Sequence, residues 1–231
     1  MEQFEYYLFN GIYLAYTVAM IAYVVFAVTR NERVGKLALG LVMAAVLCHA
    51  GDLALRAYVG LHLHGLKWYV PWSNWFESFS LFAMVIGITF IAVQFMYKLH
   101  MLGVFVVTLL WIVLTFSMTY PLFSQWSRLN GASEIWSAIL FSRGIPELMP
   151  ALQSYWMAIH VPVMFISYSA FAVAFAVGLV YLIQEHHLKK KHPTDFSEQL
   201  PALDPLDTMI YRLIGWGFPV LTLGIILGAR W

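Results

Sequence analysis

Six separate stretches of this chain stay apolar for about 20 residues, the length a helix needs to cross a bilayer. They run at about residues 7–28, 37–59, 78–97, 101–119, 154–184 and 209–229. Inside hydrocarbon no water can pair with the peptide groups, so such stretches must form helices or a closed barrel, and runs this long specify helices. Composition agrees: 61% of the 231 residues are hydrophobic and 11% are charged, where a soluble domain has about a quarter charged. The expected fold is all-α, a single integral membrane domain over 1–231 with about six transmembrane helices. A net charge of +1 gives no footprint for nucleic acid. The N-terminus, MEQFEYYLFN, is acidic where a secretory leader would be cationic. The single cysteine, Cys48, excludes an intramolecular disulfide and argues against thiol–disulfide exchange by this chain alone.

No internal repeat stands out. Two connections are long. The one at about 120–153 holds Ile135, Trp136, Ile139 and Leu140 at helical spacing, which predicts a short helix lying on the membrane surface. The other, at about 185–208, is polar, and its His186, His187 and His192 stand among lysines, which reads as a basic stretch beside lipid headgroups. Lys and Arg near the helix ends set orientation. Arg30, Arg33, Lys36, Lys98, Lys189, Lys190, Lys191 and Arg212 fall on one side, against Arg56, Lys67, Arg128, Arg143 and Arg230 on the other. The richer side is expected in the cytoplasm, which places both termini and the loops 60–77 and 120–153 outside.

Polar residues within the apolar runs are the candidates for chemistry. His160 precedes Pro162 in the fifth run. That run holds about 29 apolar residues, roughly 43 Å of helix, so counting up from Gln184 places His160 about one turn beyond the hydrocarbon core. An interfacial imidazole there can bond water or ligate a metal. Pro162 removes a helix hydrogen bond and is expected to bend the helix. Tyr155 and Trp156 lie one turn further out. His62 and His64 form a His-x-His pair, too few ligands for a metal site by themselves. The outer side also collects Trp68, Trp72, Trp75, Trp126, Trp136, Trp156 and Trp231. They suit a platform for a flat apolar ligand, or an interfacial belt in the longer loops. In the second run, His49, Asp52 and Arg56 share one helix face. Asp52 and Arg56 can pair, and His49 falls near mid-membrane. Such residues are either functional or a polar packing device. Gly224 and Gly228 form a small-xxx-small pair suited to helix packing. No nucleotide loop, nucleophile with base, carboxylate pair or two-cysteine motif occurs.

Three segments, LMPALQSYWMAIHV, LDTMIYRLIGWGFPVLTLGIILGARW and PWSNWFESFSLFAMVIG, resemble the CcsA/ResC-type cytochrome c assembly proteins of System II. The resemblance implies haem as a transient cofactor. It implies a Ccs1/ResB-type membrane subunit and apocytochrome c as partners, in a bacterial cytoplasmic membrane rather than a thylakoid. By motif match, His160 resembles the first of the family's two outer haem-ligating histidines, with Trp156 and Tyr155 as packing neighbours. His49, His62, His64, Asp52 and Arg56 match no family ligand. In that family a tryptophan-rich outer segment, further spans and a second outer histidine follow the equivalent of Trp231. The chain is therefore expected to be an amino-terminal portion or one piece of a split protein. Alone it is expected to hold little haem and to lack holocytochrome c synthase activity. Arg128, Arg143 and Arg56 are the outer cations considered for the haem propionates. Two other functions stay open: a b-type haem electron-transfer subunit, which would want facing histidines, and a haem-free transporter or assembly scaffold using the Asp52–Arg56 face.

Overall fold

The structure, a computed structural model, describes residues 2–125, 144–145, 153–190 and 200–230. Among them all regular structure is helical. The long helices are α1 (Glu2–Thr29), α2 (Glu32–Tyr58), α3 (Trp75–Tyr97), α4 (Leu102–Gln125), α5 (Tyr155–Lys190) and α6 (Leu203–Ala229). Each apolar run corresponds to one of them, and among the described residues six helices are long and apolar enough to cross a membrane. The chain is a multi-pass membrane protein. The expected surface helix around Ile135–Leu140 lies outside the described residues, as do Trp126, Arg128, Trp136, Arg143, Lys191, His192 and Trp231.

Local chemistry fixes the helix ends. Asn31 caps α2, its side chain accepting from the Arg33 N–H at 3.0 Å, and Asn74 caps α3 by accepting from the Glu77 N–H at 2.9 Å. Arg30 (φ 58°) and Lys98 (φ 55°) stand in the left-handed region just after α1 and α3. They end both helices abruptly and place positive charge at the helix C-termini. Short turns therefore join α1 to α2 and α3 to α4. At its far end α2 widens into a π turn, Val59–Leu63. Gly60 lies directly under the Tyr69 ring, where a Cβ would sit 2.1 Å from a ring carbon. Only glycine lets the 64–74 loop fold back so closely over that turn.

Helices α1 to α4 surround a core of Phe9, Tyr16, Tyr23, Ile86, Phe90 and Leu110. Helix α5 joins this body through α3 and α4, with Phe82 stacked on Phe165 at 5.5 Å and the Thr89 and Ser169 hydroxyls 2.8 Å apart. Helix α6 packs chiefly on α5. Its small residues let the two backbones approach, with Gly217 against Phe171 and Gly224 against Met164. The opposite face of α6 is apolar and exposed, with Trp216 at 76%.

Six antiparallel spans bring the start of α1, the end of α2, the start of α3, the start of α5 and the end of α6 to one end of the bundle. Contacts between Arg56 and Glu5, Arg56 and Glu77, and His160 and Gly224 confirm that shared end. Pro162 lies inside α5, which continues through it.

Candidate functional site: a histidine-lined groove

His160 is half-buried on the first turns of α5. Its Nδ1 lies 2.7 Å from the Gly224 carbonyl on α6. A carbonyl only accepts, so Nδ1 carries the proton and Nε2 of the neutral ring carries the lone pair. Gly228, one turn beyond Gly224, makes room for the ring: a Cβ there would stand 2.6 Å from Cε1. The glycine pair that reads as plain packing thus seats the imidazole and sets its tautomer.

The ring lines a groove of about 360 Å³. Val161, Met164, Phe165 and Tyr168 continue its α5 side, and Ser73, Asn74, Trp75 and Ser78, from the start of α3 and the loop before it, form the facing side. The groove is mostly apolar with a few polar groups, the usual make-up of a small-molecule site, and its volume falls at the small end of such sites (about 300–1,000 Å³). Trp75 is exposed at its rim and stacks with Phe79 at 5.9 Å.

Tyr155 is exposed and stands edge-on to Trp156. Trp156 faces α6 instead of the groove, with the Arg230 guanidinium 5.3 Å from its ring centroid, a cation–π distance. Trp75 and Tyr168 supply the groove's exposed aromatic surface. Tyr168 had no motif to mark it, and Trp75 stood undistinguished among the outer tryptophans.

The remaining sequence candidates go elsewhere. His62 and His64 are exposed around the π turn, with His62 beside Tyr58 at 4.7 Å. Among the described residues, no three His, Cys, Asp or Glu side chains cluster to hold a metal ion. His49 is wholly buried, its Nε2 2.7 Å from the Ser80 hydroxyl and its Nδ1 3.5 Å from that of Tyr16. Asp52 is buried one turn away. Arg56 makes short ion pairs with two other helices: Nε with Glu77 at 2.7 Å and Nη1 with Glu5 at 2.8 Å. The Phe76 ring lies 5.2 Å from this guanidinium, and Nη2 donates to the Gly144 carbonyl at 3.3 Å. Both carboxylates escaped the sequence reading, Glu77 because it looks like an ordinary first-turn acid behind an asparagine cap.

Comparison with known proteins decides the family. The sequence profile described as Cytochrome C assembly protein matches residues 72–231. The chain belongs to that family. Among its relatives is the cytochrome c biogenesis protein CcsA of Guillardia theta, 32% identical over 189 residues, covering 72% of this chain and 56% of the relative. The CcsA protein of Chlamydomonas reinhardtii is 43% identical over 84 residues, or 36% of this chain and 23% of the relative. Protein HemX of Brevibacillus brevis is 25% identical over 202 residues, or 87% of this chain and 64% of the relative. The chain thus spans part of the length of the relatives it matches. Trp75 and His160, on the two sides of the groove, both lie inside the matched region.

Proposed function

We propose that this chain serves cytochrome c biogenesis by holding haem, as cargo, in the His160 groove, with the iron taken by Nε2. One observation carries the reading: Nδ1–H is tied to the Gly224 carbonyl at 2.7 Å. That backbone hydrogen bond is the outer-shell arrangement that orients a metal-ligating imidazole and raises its basicity. The donor set fits haem iron, for which a single histidine is a common axial ligand, and Trp75, Phe165 and Tyr168 offer flat apolar contact. Bound there, haem would supply the vinyl groups to which cysteine thiols of an apocytochrome c add. The chain would orient the macrocycle and supply no nucleophile, as one part of a holocytochrome c synthase.

Among the described residues, Arg230, over Trp156 and close to the His160 turn, is the cation best placed for a propionate. Arg56 is committed to two carboxylates. His160 is the one imidazole among the described residues of the groove, so a second axial ligand must come from another segment or chain. A Ccs1/ResB-type membrane subunit and apocytochrome c are the proposed partners. The charge asymmetry of the loops supports an orientation with the His160 end outside, and a bacterial cytoplasmic membrane is the proposed location. A b-type electron-transfer subunit would want paired histidines, and His49 instead packs against hydroxyls. A transporter would use the Asp52–Arg56 face, which is sealed by Glu5 and Glu77.

The test is haem absorbance per protein for the protein purified from its native membrane, with cytochrome c assembly scored in the same cells. His160→Gly should lose both while the protein accumulates normally, and added imidazole should restore part of each by entering the vacated position. Full haem content and full assembly in His160→Gly would overturn the proposal.

A further inference from the structure

Glu77 lies at the other side of the groove from His160 and does not line it, yet its carboxylate is saturated by four donors. Arg56 Nε (2.7 Å) and the Tyr69 hydroxyl (2.5 Å) reach Oε1, and the Ser73 N–H (2.8 Å) and Ser73 hydroxyl (2.9 Å) reach Oε2. The donors come from the end of α2 and from two points on the 64–74 loop. Burial pushes the Tyr69 phenol well above its ordinary range; Arg56 opposes that shift and Glu77 adds to it. Tyr69 therefore stays a neutral donor. The residues next to Glu77 in sequence form the facing wall of the groove: Ser73, one of the donors, Asn74, which caps the Glu77 N–H, Trp75, and Ser78, whose hydroxyl donates to the Trp72 carbonyl at 3.1 Å.

Replacing a buried ion pair by apolar residues is often neutral or stabilising, while breaking it by removing one partner is not. Such a pair is weak evidence for stability, so a role in geometry is the better account of its placement. Every hydrogen bond described for the Glu77 carboxylate ends on the α2 terminus or on the groove-forming loop. We propose that Glu77, held by Arg56, is a positioning residue: it fixes the 69–78 segment as the wall opposite His160 and so sets how firmly a flat ligand is gripped there. The wall's position is a property of this chain alone; the effect on haem rests on the function proposed above.

Two readouts separate the two ideas. In a Cys48→Ala background, Ser78→Cys and Val161→Cys place one thiol on each side of the groove, and bis-maleimides of graded length report the gap without any haem. Haem per protein is measured on the variants lacking these cysteines. Glu77→Gln presents an amide to donors that need an acceptor. It should broaden the length selectivity of cross-linking and cut haem retention roughly tenfold, the usual effect of losing an outer-shell support. His160→Gly should lose haem and keep the wild-type cross-linking pattern. If Glu77→Gln fails to accumulate, Arg56→Met/Glu77→Leu removes both charges together and is read in the same way, with the same broadening expected. Wild-type cross-linking in whichever variant accumulates would overturn the proposal. If no form of the protein held haem, the function reading would fall, while the cross-linking comparison would still decide whether Glu77 positions the wall.

Discussion

Two histidines in helices of similar apolar character meet opposite fates. His49 stands in the packed body of α1, α2 and α3, wholly buried, between the Ser80 and Tyr16 hydroxyls and edge-on to Phe9 at 5.9 Å. His160 stands where the α5–α6 pair meets the start of α3, half-buried. One of its nitrogens is held by a backbone carbonyl and its ring lines an aromatic groove. An imidazole whose two nitrogens face hydroxyls is a packing element. One whose tautomer is fixed on one side and whose ring lines a groove fits the ligand role proposed above. Depth in the membrane does not separate the two, because a buried imidazole can ligate as well as a half-buried one. What separates them is where the second nitrogen can go.

The largest effect that would break this comparison, beyond removing His160 itself, comes from its seat. Any side chain at 228 would put a Cβ 2.6 Å from His160 Cε1 and 2.9 Å from Nδ1. Gly228→Leu should therefore push the ring off the Gly224 carbonyl and lower haem per protein by roughly tenfold or more. Gly215→Ala, at a site where a Cβ meets nothing within 4 Å, should leave haem content unchanged. Full haem retention in Gly228→Leu would show that the glycine seat does not orient the imidazole.

A smaller effect of a different kind is expected at His49. Removing its ring leaves a cavity and strips the Ser80 and Tyr16 hydroxyls of a buried partner. His49→Ala should lower stability by roughly 2–4 kcal/mol, read as thermal unfolding in detergent, while haem per folded protein stays at the wild-type level. Loss of haem at unchanged stability would move His49 out of the packing role and erase the contrast with His160.

What the sequence made legible follows from the range of each signal. An apolar run of membrane-spanning length announces itself, so all six helices could be read. Their ends could not, because hydropathy sees only the apolar part. Helix α5 continues to Lys190 and α6 starts at Leu203, where the residues are polar yet still helical. His160 was marked by a motif and by its rarity in such a run. Its seat was half-visible: Gly224 and Gly228 read as a packing pair, but a single sequence does not say which side chain they receive. The interhelical partners of Arg56 were hidden for the same reason. Spacing rules find partners three or four residues away, whereas Glu77 and Glu5 lie 21 and 51 residues from Arg56 along the chain. Only the packing of three helices brings them together.

The smallest effect is expected at the pair that most resembles a metal motif. His62 and His64 are exposed at the end of α2, where the π turn carries His62 alongside Tyr58. Two imidazoles leave a tetrahedral ion short of ligands, and among the described residues no third His, Cys, Asp or Glu joins them. Neither residue lines the groove. The double variant His62→Ala/His64→Ala should therefore change stability by no more than about 0.5 kcal/mol, as surface substitutions usually do, and should leave haem per protein at the wild-type value. Loss of haem in this variant, with His160→Gly still loaded, would reverse the assignment. The ligand would then belong to the exposed loop, and the Gly224-held imidazole would join His49 as a packing element.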